Sequence, residues 1–272
     1  MSSFDTFRLS PLRPRADRPS FQRLRVLSAL VIREMGTSFG KSAGGYFWAI
    51  AQPLGGILLL AIAFGLALRS PPLGNSFLFF YSTGIVPLQL FLTMHRAVSS
   101  AITSNRGLLA YPVVSALDAV AAKFLLTLMT NFMIAVLLIG GIIVVSGAYV
   151  ILDWEMIVIS FTLVSLLGLG VGTLNCVLFG FFPTWKNIWS VLTRPLFIIS
   201  GVFYVFESIP AAFQDVVWYN PVLQCIGLMR AGFFGTYNAD YVSIPYVLGI
   251  SLTCLVIGGY LVRRHAAFLI EQ

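Results

Sequence analysis

Long apolar stretches set the limits on what this chain can fold into. Six segments, about Trp48–Leu68, Phe77–Ile102, Ala119–Val145, Met156–Phe182, Ile188–Val205 and Ile244–Val262, can each cross a hydrocarbon layer, whose thickness is roughly 30 Å. Of the 272 residues, 58% are apolar and 10% are charged. An ordinary soluble domain is roughly 45–50% apolar and 25% charged, so a water-soluble globule is excluded. Cys176, Cys225 and Cys254 form no CxxC pair and have no metal-ligand spacing, and each reads as a buried structural thiol. The expected fold is an all-α integral membrane protein with six transmembrane helices.

The chain before the first span has a different character. Residues 1–19 are basic and carry Pro11, Pro14 and Pro19, which disfavour a helix. They contain neither an apolar core nor a small-residue cleavage site, so they read as a cytoplasmic extension rather than a secretory signal, with an organelle transit peptide as the weaker alternative. Residues 20–45 then form an expected amphipathic helix. Leu24, Leu27, Val31 and Met35 recur at helical spacing, while Gln22, Arg23, Arg25, Arg33 and Glu34 supply the polar remainder. Such a helix lies in the membrane interface with its arginines near anionic headgroups; packing on a soluble partner is the alternative.

Basic residues also orient the spans. With both termini in the cytoplasm, the internal segments and helix ends gather fifteen of the seventeen lysines and arginines, leaving Arg69 and Arg230 outside. That bias is the positive-inside pattern. Residues 266–272 are then a cytoplasmic tail.

Most catalytic and ligand-binding motifs fail on inspection. Gly40-Lys41-Ser42 resembles the end of a P-loop, but Gly36 and Gly40 enclose three residues where the motif requires four. His95 and His265 are too isolated for a metal site and read as satisfied or solvated. No GxSxG elbow or Ser–His–Asp set occurs. Asp153 and Glu155 read as solvated charges of an external turn, and Asp118 and Lys123 as snorkelling side chains at the start of the third span. The spans thus lack the intramembrane carboxylates of ion-coupled carriers. The expectation is no catalytic residue, no metal and no nucleotide site, with energy drawn from another subunit. Gly168 and Gly172 form a GxxxG pair, open to packing within one subunit or between two.

Two connections stand out. Between the fifth and sixth spans, residues 207–235 hold two short apolar pieces, about Ala211–Tyr219 and Val222–Phe234, punctuated by Pro210 and Asn220-Pro221. Each is too short to span, and proline suits a first helical turn. A re-entrant helical hairpin before the last span fits, bordering a pathway or subunit interface; helices lying flat on the outer surface are the alternative. On the inner side, the loop 103–117 carries Leu108, Leu109 and Tyr111 into the cytoplasm, where they fit a partner's groove or turn back onto the bilayer.

The order of these features resembles a known family. Arg33-Glu34-Met35, Gly45-Tyr46-Phe47-Trp48-Ala49 and Gln52-Pro53 come first, followed by Asn105…Leu108-Leu109…Tyr111-Pro112 and Leu117-Asp118. Arg194-Pro195-Leu196-Phe197, Ser200-Gly201-Val202-Phe203-Tyr204, Tyr219-Asn220-Pro221 and Arg230 complete the set. Together they resemble the ABC-2 type permease subunits that export capsular polysaccharides in Gram-negative bacteria. The resemblance covers about residues 20–265, and the whole transmembrane domain is assigned to residues 46–265.

The resemblance implies a permease of the inner (cytoplasmic) membrane that pairs with a second copy of itself and with two separate ABC ATPases. It would move a lipid-linked polysaccharide outward, with a periplasmic adaptor protein as a further partner and no nucleic acid involved. ATP and Mg would be bound on the ATPases and no cofactor on this chain. Asn105, Arg106, Leu108, Leu109, Tyr111 and Pro112 would form the coupling helix. Arg23, Arg25, Arg33 and Glu34 would lie where the substrate gains access, and the 207–235 hairpin would match the family's external re-entrant helices. A sliding glycan needs hydrogen bonders and aromatic faces with few fixed charges. Trp48, Tyr81, Trp185, Trp189, Tyr204 and Trp218 are the candidates for its path, against the ordinary role of aromatics as interfacial anchors. A drug or small-lipid exporter of the same architecture, a channel and a membrane transferase are the alternatives.

Overall fold

A computed structural model of the chain describes residues 20–39, 44–109, 114–146, 150 and 152–271. Every regular element among them is helical. Helix α1 spans Ser20–Phe39, α2 Gly45–Ala67, α3 Phe77–Ser99, α6 Ala116–Ser146, α7 Trp154–Phe181 and α12 Ile244–Arg264. Two four-residue helices, α4 (Ala101–Ser104) and α5 (Arg106–Leu109), follow α3, and α13 (Ala266–Glu271) ends the described chain. Five of these helices, α2, α3, α6, α7 and α12, are long and apolar enough to cross a membrane.

The fifth expected span, Ile188–Val205, is not one continuous helix. It divides into α8 (Pro183–Thr193) and α9 (Leu196–Ile199). Pro195 has no N–H to continue the ladder, and Gly201, at φ 75°, takes the left-handed conformation that lets the chain turn. Residues 202–209 then run through a short 3-10 turn, Phe206–Ser208, to α10 (Ala211–Trp218) and α11 (Pro221–Phe233).

Local signals explain the helix starts. Asp153 accepts from the backbone N–H of Glu155 and Met156 at 3.1 and 3.3 Å and caps α7. Asn220 accepts from Val222 N–H at 3.0 Å, and Pro221 occupies the first turn of α11.

Helix α3 is the centre of the bundle. It packs against α7, α6, α2 and α11, and most of its length is buried. Helix α7 lies between α3 and α12, and its glycines permit this. A Cβ on Gly168 would stand 2.7 Å from Met94 Cβ, and one on Gly172 2.7 Å from Val98 Cβ. On the other face, a Cβ on Gly170 would collide with the backbone oxygen of Ser251 in α12. The GxxxG pair therefore serves packing within the subunit.

The segments before α12 have opposite burials. Helix α10 has no buried residue, whereas α11 is buried along most of its length against α7 and α3. Gln224 ties this region together, donating to Trp218 O at 2.8 Å and accepting from Ser243 N–H at 2.9 Å. A second, smaller core at the other end joins Ile102, Leu109, Ala119, Val177, Val262 and Leu269.

Candidate functional site

The most connected polar cluster lies where α1 meets the α4–α5 connection and α6. Glu34, on the buried face of α1, forms an ion pair with Lys123 of α6. The Asn105 side chain, between α4 and α5, accepts from Arg33 Nη1 at 2.9 Å. Its amide nitrogen donates to Ala101 O at 3.0 Å and Ser104 Oγ at 3.2 Å, and reaches Glu34 Oε2 at 3.4 Å. Two stretches far apart in sequence, α1 and the α4–α5 connection, thus meet at one buried amide, and Glu34 brings in α6 through Lys123. Glu34 and Asn105 are both nearly inaccessible, a burial that polar groups tolerate only when they are hydrogen-bonded or paired.

This geometry sorts the expected residues. Asn105, Arg33 and Glu34 come together, and Lys123 joins them as a structural cation instead of snorkelling alone. Its α-helical position gave no indication of a partner 89 residues away. Arg25 is exposed on α1, and the side chain of Arg23 lies outside the described residues. So do Tyr111 and Pro112.

Leu108 is half-buried, but Leu109 is 7% exposed and packs into the chain's own small core. Leu109 is therefore spent on internal packing, and Leu108 is left as the apolar residue of α5 that a partner could reach. The apolar stripe on α1 also differs from the simple periodic reading. Leu30 is buried, while Leu24, Ile32 and Met35 are exposed, because packing against α6 rotates Leu30 and Glu34 inward.

The six aromatic candidates separate into distinct environments. Trp48 is 64% exposed on α2. Tyr81 is fully buried among Phe64, Phe77 and Phe80, with ring centroids 5.3–6.4 Å away. Trp218 donates to Tyr241 O at 2.8 Å, which marks it as a structural anchor. Trp185 and Trp189 sit on α8 with ring centroids 6.2 Å apart, and Trp185 donates to Asn175 Oδ1 at 3.0 Å. Tyr204 lies in the turn after α9, and its carbonyl is held by Arg230.

Arg230 is the main polar fixture at the opposite end of the bundle. It is 2% exposed, donates to Tyr204 O at 2.7 Å and Val202 O at 3.0 Å, and lies 4.1 Å from the Phe80 ring centroid. Backbone carbonyls and an aromatic face together replace the water that a buried guanidinium loses. Nearby, the Tyr237 hydroxyl meets both Glu207 oxygens at 3.1–3.2 Å. Burial pushes the Tyr241 hydroxyl up to about 12. It raises Tyr237 as well, with Tyr241 and Glu207 adding to the effect.

A polar wall that the sequence reading did not single out lies between α2, α3 and α6. Gln52, Gln89, Thr93, Thr127, Asn131 and Lys123 line a cavity of about 290 Å³ there. Thr93 and Asn131 are linked across it at 3.2 Å. No group of three or more metal-ligating side chains occurs among the described residues.

Comparison with known proteins places these features in context. The family model for the ABC-2 type transporter matches residues 25–234. The polysialic acid transport protein KpsM of Escherichia coli is 29% identical over 244 residues, covering 89% of this chain and 95% of that protein. The capsule polysaccharide export inner-membrane protein CtrC of Neisseria meningitidis serogroup A is 24% identical over 242 residues, covering 89% and 91%. The capsule polysaccharide export inner-membrane protein BexB of Haemophilus influenzae is 23% identical with the same coverage.

Proposed function

The chain belongs to the ABC-2 type transporter family, and from that premise we propose that it is the permease subunit of an ATP-driven exporter of a lipid-linked, capsular-type polysaccharide. The cargo moves outward across the bacterial inner membrane. The observation that carries this reading is similarity along nearly the full length of relatives named for polysialic acid transport and capsule polysaccharide export.

In this reading two copies of the chain build the pathway and two separate ATPases bind ATP and Mg; the permease itself holds no nucleotide. Both termini lie in the cytoplasm, in keeping with the distribution of lysine and arginine. Helices α8 and α9 together make the fifth of six crossings, broken at Arg194-Pro195. Helices α10 and α11 re-enter the membrane from outside. Irregular backbone at that depth must be satisfied by protein, and Arg230 supports the assignment by holding two carbonyls of the turn at 2.7 and 3.0 Å.

The segment Asn105–Leu109 then receives the stroke of the ATPase. Asn105 binds Arg33, and Glu34 binds Lys123, so a push on α5 is delivered to both α1 and α6. ATP shifts the pathway only by the difference in its binding free energy between the two states. Aromatic faces on α8, Trp185 and Trp189, and the exposed Trp48 are the parts of the chain suited to a sliding glycan.

Deletion and complementation in the native host test this assignment, together with purification of the tagged chain in mild detergent. The expected result is loss of surface polysaccharide with accumulation inside the cell, and co-purification of a P-loop ATPase. Normal surface polysaccharide in the deletion strain, with a chain that purifies alone, would overturn it.

A further inference from the structure

Polar side chains at membrane depth are costly unless something meets them, and the wall between α2, α3 and α6 carries several with nothing to meet. Its cavity of about 290 Å³ is bordered by Gln52 of α2, Gln89 and Thr93 of α3, and Thr127, Thr130 and Asn131 of α6. All three helices are long and apolar enough to cross a membrane. Thr93 donates to Asn131 Oδ1 at 3.2 Å, and Asn131 donates to Thr127 O at 2.9 Å. The side chains of Gln52, Gln89, Thr127 and Thr130 make no hydrogen bond among the described residues.

The charge at this wall is already matched. Lys123 lines the cavity but pairs with Glu34, so an anion entering the space would meet no free counter-charge and would lose its hydration without return. What remains is uncharged and works in both directions. A glutamine amide offers two donors and a carbonyl acceptor, and a threonine hydroxyl donates once and accepts twice. A ring with hydroxyls on neighbouring carbons answers such a set, because it also donates and accepts. An ether chain, which only accepts, leaves the amide oxygens unmet. The volume lies just under the roughly 300–1,000 Å³ of small-ligand sites, which suits one ring at a time.

An aromatic face stands beside the amides. Trp48 lies four residues before Gln52 on α2, which places the two one turn apart on the same side of the helix. Trp48 is 64% exposed, Gln52 is exposed as well, and Gln89 is half-buried. A flat indole next to free amides matches the two characters of a sugar, whose C–H face stacks on the ring while its hydroxyls reach the amides. The cavity also has a direction. Lys123 and Asn131 are eight residues apart on α6, about 12 Å along the helix, so the polar lining follows the span instead of crossing it.

We propose that this cavity is a sugar-binding subsite that takes one hydroxylated ring of the exported glycan at a time. Gln52 and Gln89 are its hydrogen-bonding residues and Trp48 is its stacking face. The assignment to cargo rests on the polysaccharide-export reading, whereas the affinity for a polyol does not. Neutral hydrogen bonds are weaker than charge-assisted ones, so a ring held in this way is released easily and the next one can follow it.

Binding of oligosaccharides cut from the host's surface polysaccharide tests the site. The full chain is held in a detergent without sugar headgroups, and binding is read by saturation-transfer NMR, with methyl-capped polyethylene glycol of matched length as the control that accepts but cannot donate. The oligosaccharide should bind and the capped glycol should not. Gln52→Leu and Gln89→Leu should each weaken binding about fivefold. Trp48→Leu should weaken it to a similar degree, and Trp48→Phe should retain it. The midpoint of thermal unfolding should not fall in either Gln variant, because neither amide has a partner to lose; a lowered midpoint would mark a structural role instead. Equal binding of the capped glycol, or oligosaccharide binding unchanged in both Gln variants, overturns the site. Export measured in the same strains separates the two claims. Weakened binding with normal export overturns the assignment to cargo, while variant-dependent binding in a host that keeps its surface polysaccharide after deletion of the chain refutes the export reading and leaves the polyol site standing.

Discussion

Arg33 and Asn105 lie 72 positions apart, and the guanidinium of one donates to the side-chain oxygen of the other at 2.9 Å. The bond joins α1 to the junction between α4 and α5. Glu34, the next residue, pairs with Lys123 on α6, so adjacent residues of one helix grip two different elements. A displacement of the α4–α5 connection cannot occur without moving α1 or breaking this cluster.

Removing one member should therefore be costly. Glu34→Gln leaves Lys123, whose side chain is 12% exposed, without its counter-charge; breaking a buried pair in this way costs about 3–5 kcal/mol. Thermal unfolding in detergent should show the loss. The exchange Glu34→Lys with Lys123→Glu should recover part of it, since the pair is rebuilt with opposite polarity. No recovery would mean that the charge pair is not what joins α1 to α6.

Leu108 and Leu109 should behave differently although they are neighbours. Leu108→Asp is expected to keep the fold and lose ATPase binding, because this half-buried side chain is available to a partner. Leu109→Asp puts a charge into the core shared with Ile102 and Val177 and should unfold that end of the molecule. Limited proteolysis separates the two outcomes. Normal ATPase binding by a folded Leu108→Asp chain would remove α5 from the coupling role.

Arg230→Lys should fail to replace arginine. A lysine offers one compact ammonium where two carbonyls and the Phe80 face are now served by a planar group. Loss of a hydrogen bond to a charged group costs about 1.5–3 kcal/mol, so the turn at Val202–Tyr204 should loosen. Hydrogen exchange at residues 202–206 is the direct measurement, and unchanged protection would refute the role.

Gly170→Ala should force α7 away from α12, because the added methyl meets the Ser251 carbonyl oxygen; overpacking of this kind costs about 1–3 kcal/mol. Gly140→Ala on α6 is the matched control. It has open space around its Cβ position and should gain up to about 1 kcal/mol from helix propensity. Comparison of their midpoints of thermal unfolding checks both.

The connection between α11 and α12 should fail in alkali. Tyr241 titrates in the folded protein at about 12, above its ordinary 10.0, chiefly because it is buried. A raised value means that its stabilising contribution is complete below pH 10 and is lost as pH climbs through about 12. Tyr241→Phe should lessen that loss of stability, leaving the share carried by the buried Tyr237, as read by unfolding at stepped pH. A natural chain whose stability stays level across this range would contradict the burial of Tyr241.

Much of this protein can be read from local pattern. The expected spans at 48–68, 77–102, 119–145, 156–182 and 244–262 agree with α2, α3, α6, α7 and α12 to within a few residues, since apolar length is a property of consecutive residues. The pieces at 211–219 and 222–234 correspond to α10 and α11 for a similar reason. Asn220-Pro221 is a helix start in its own right. The break at Arg194-Pro195 was visible as a proline in an apolar run, but apolarity alone made the run look continuous.

Partners across distance could not be read in the same way. Lys123 looked like a snorkelling side chain and His95 like a satisfied one, yet both ring nitrogens of His95 are buried without a hydrogen-bond partner among the described residues. Periodicity places a residue on a face without saying what meets it. Leu109 resembled an exposed contact until Ile102 and Val177 closed over it. The covalent order of apolar, basic and turn-forming residues determined the helices, the family resemblance and the charge asymmetry between the two ends. Which polar groups pair, which glycines touch and which amides line one cavity were decided only in three dimensions, because those contacts depend on how the helices rotate and cross.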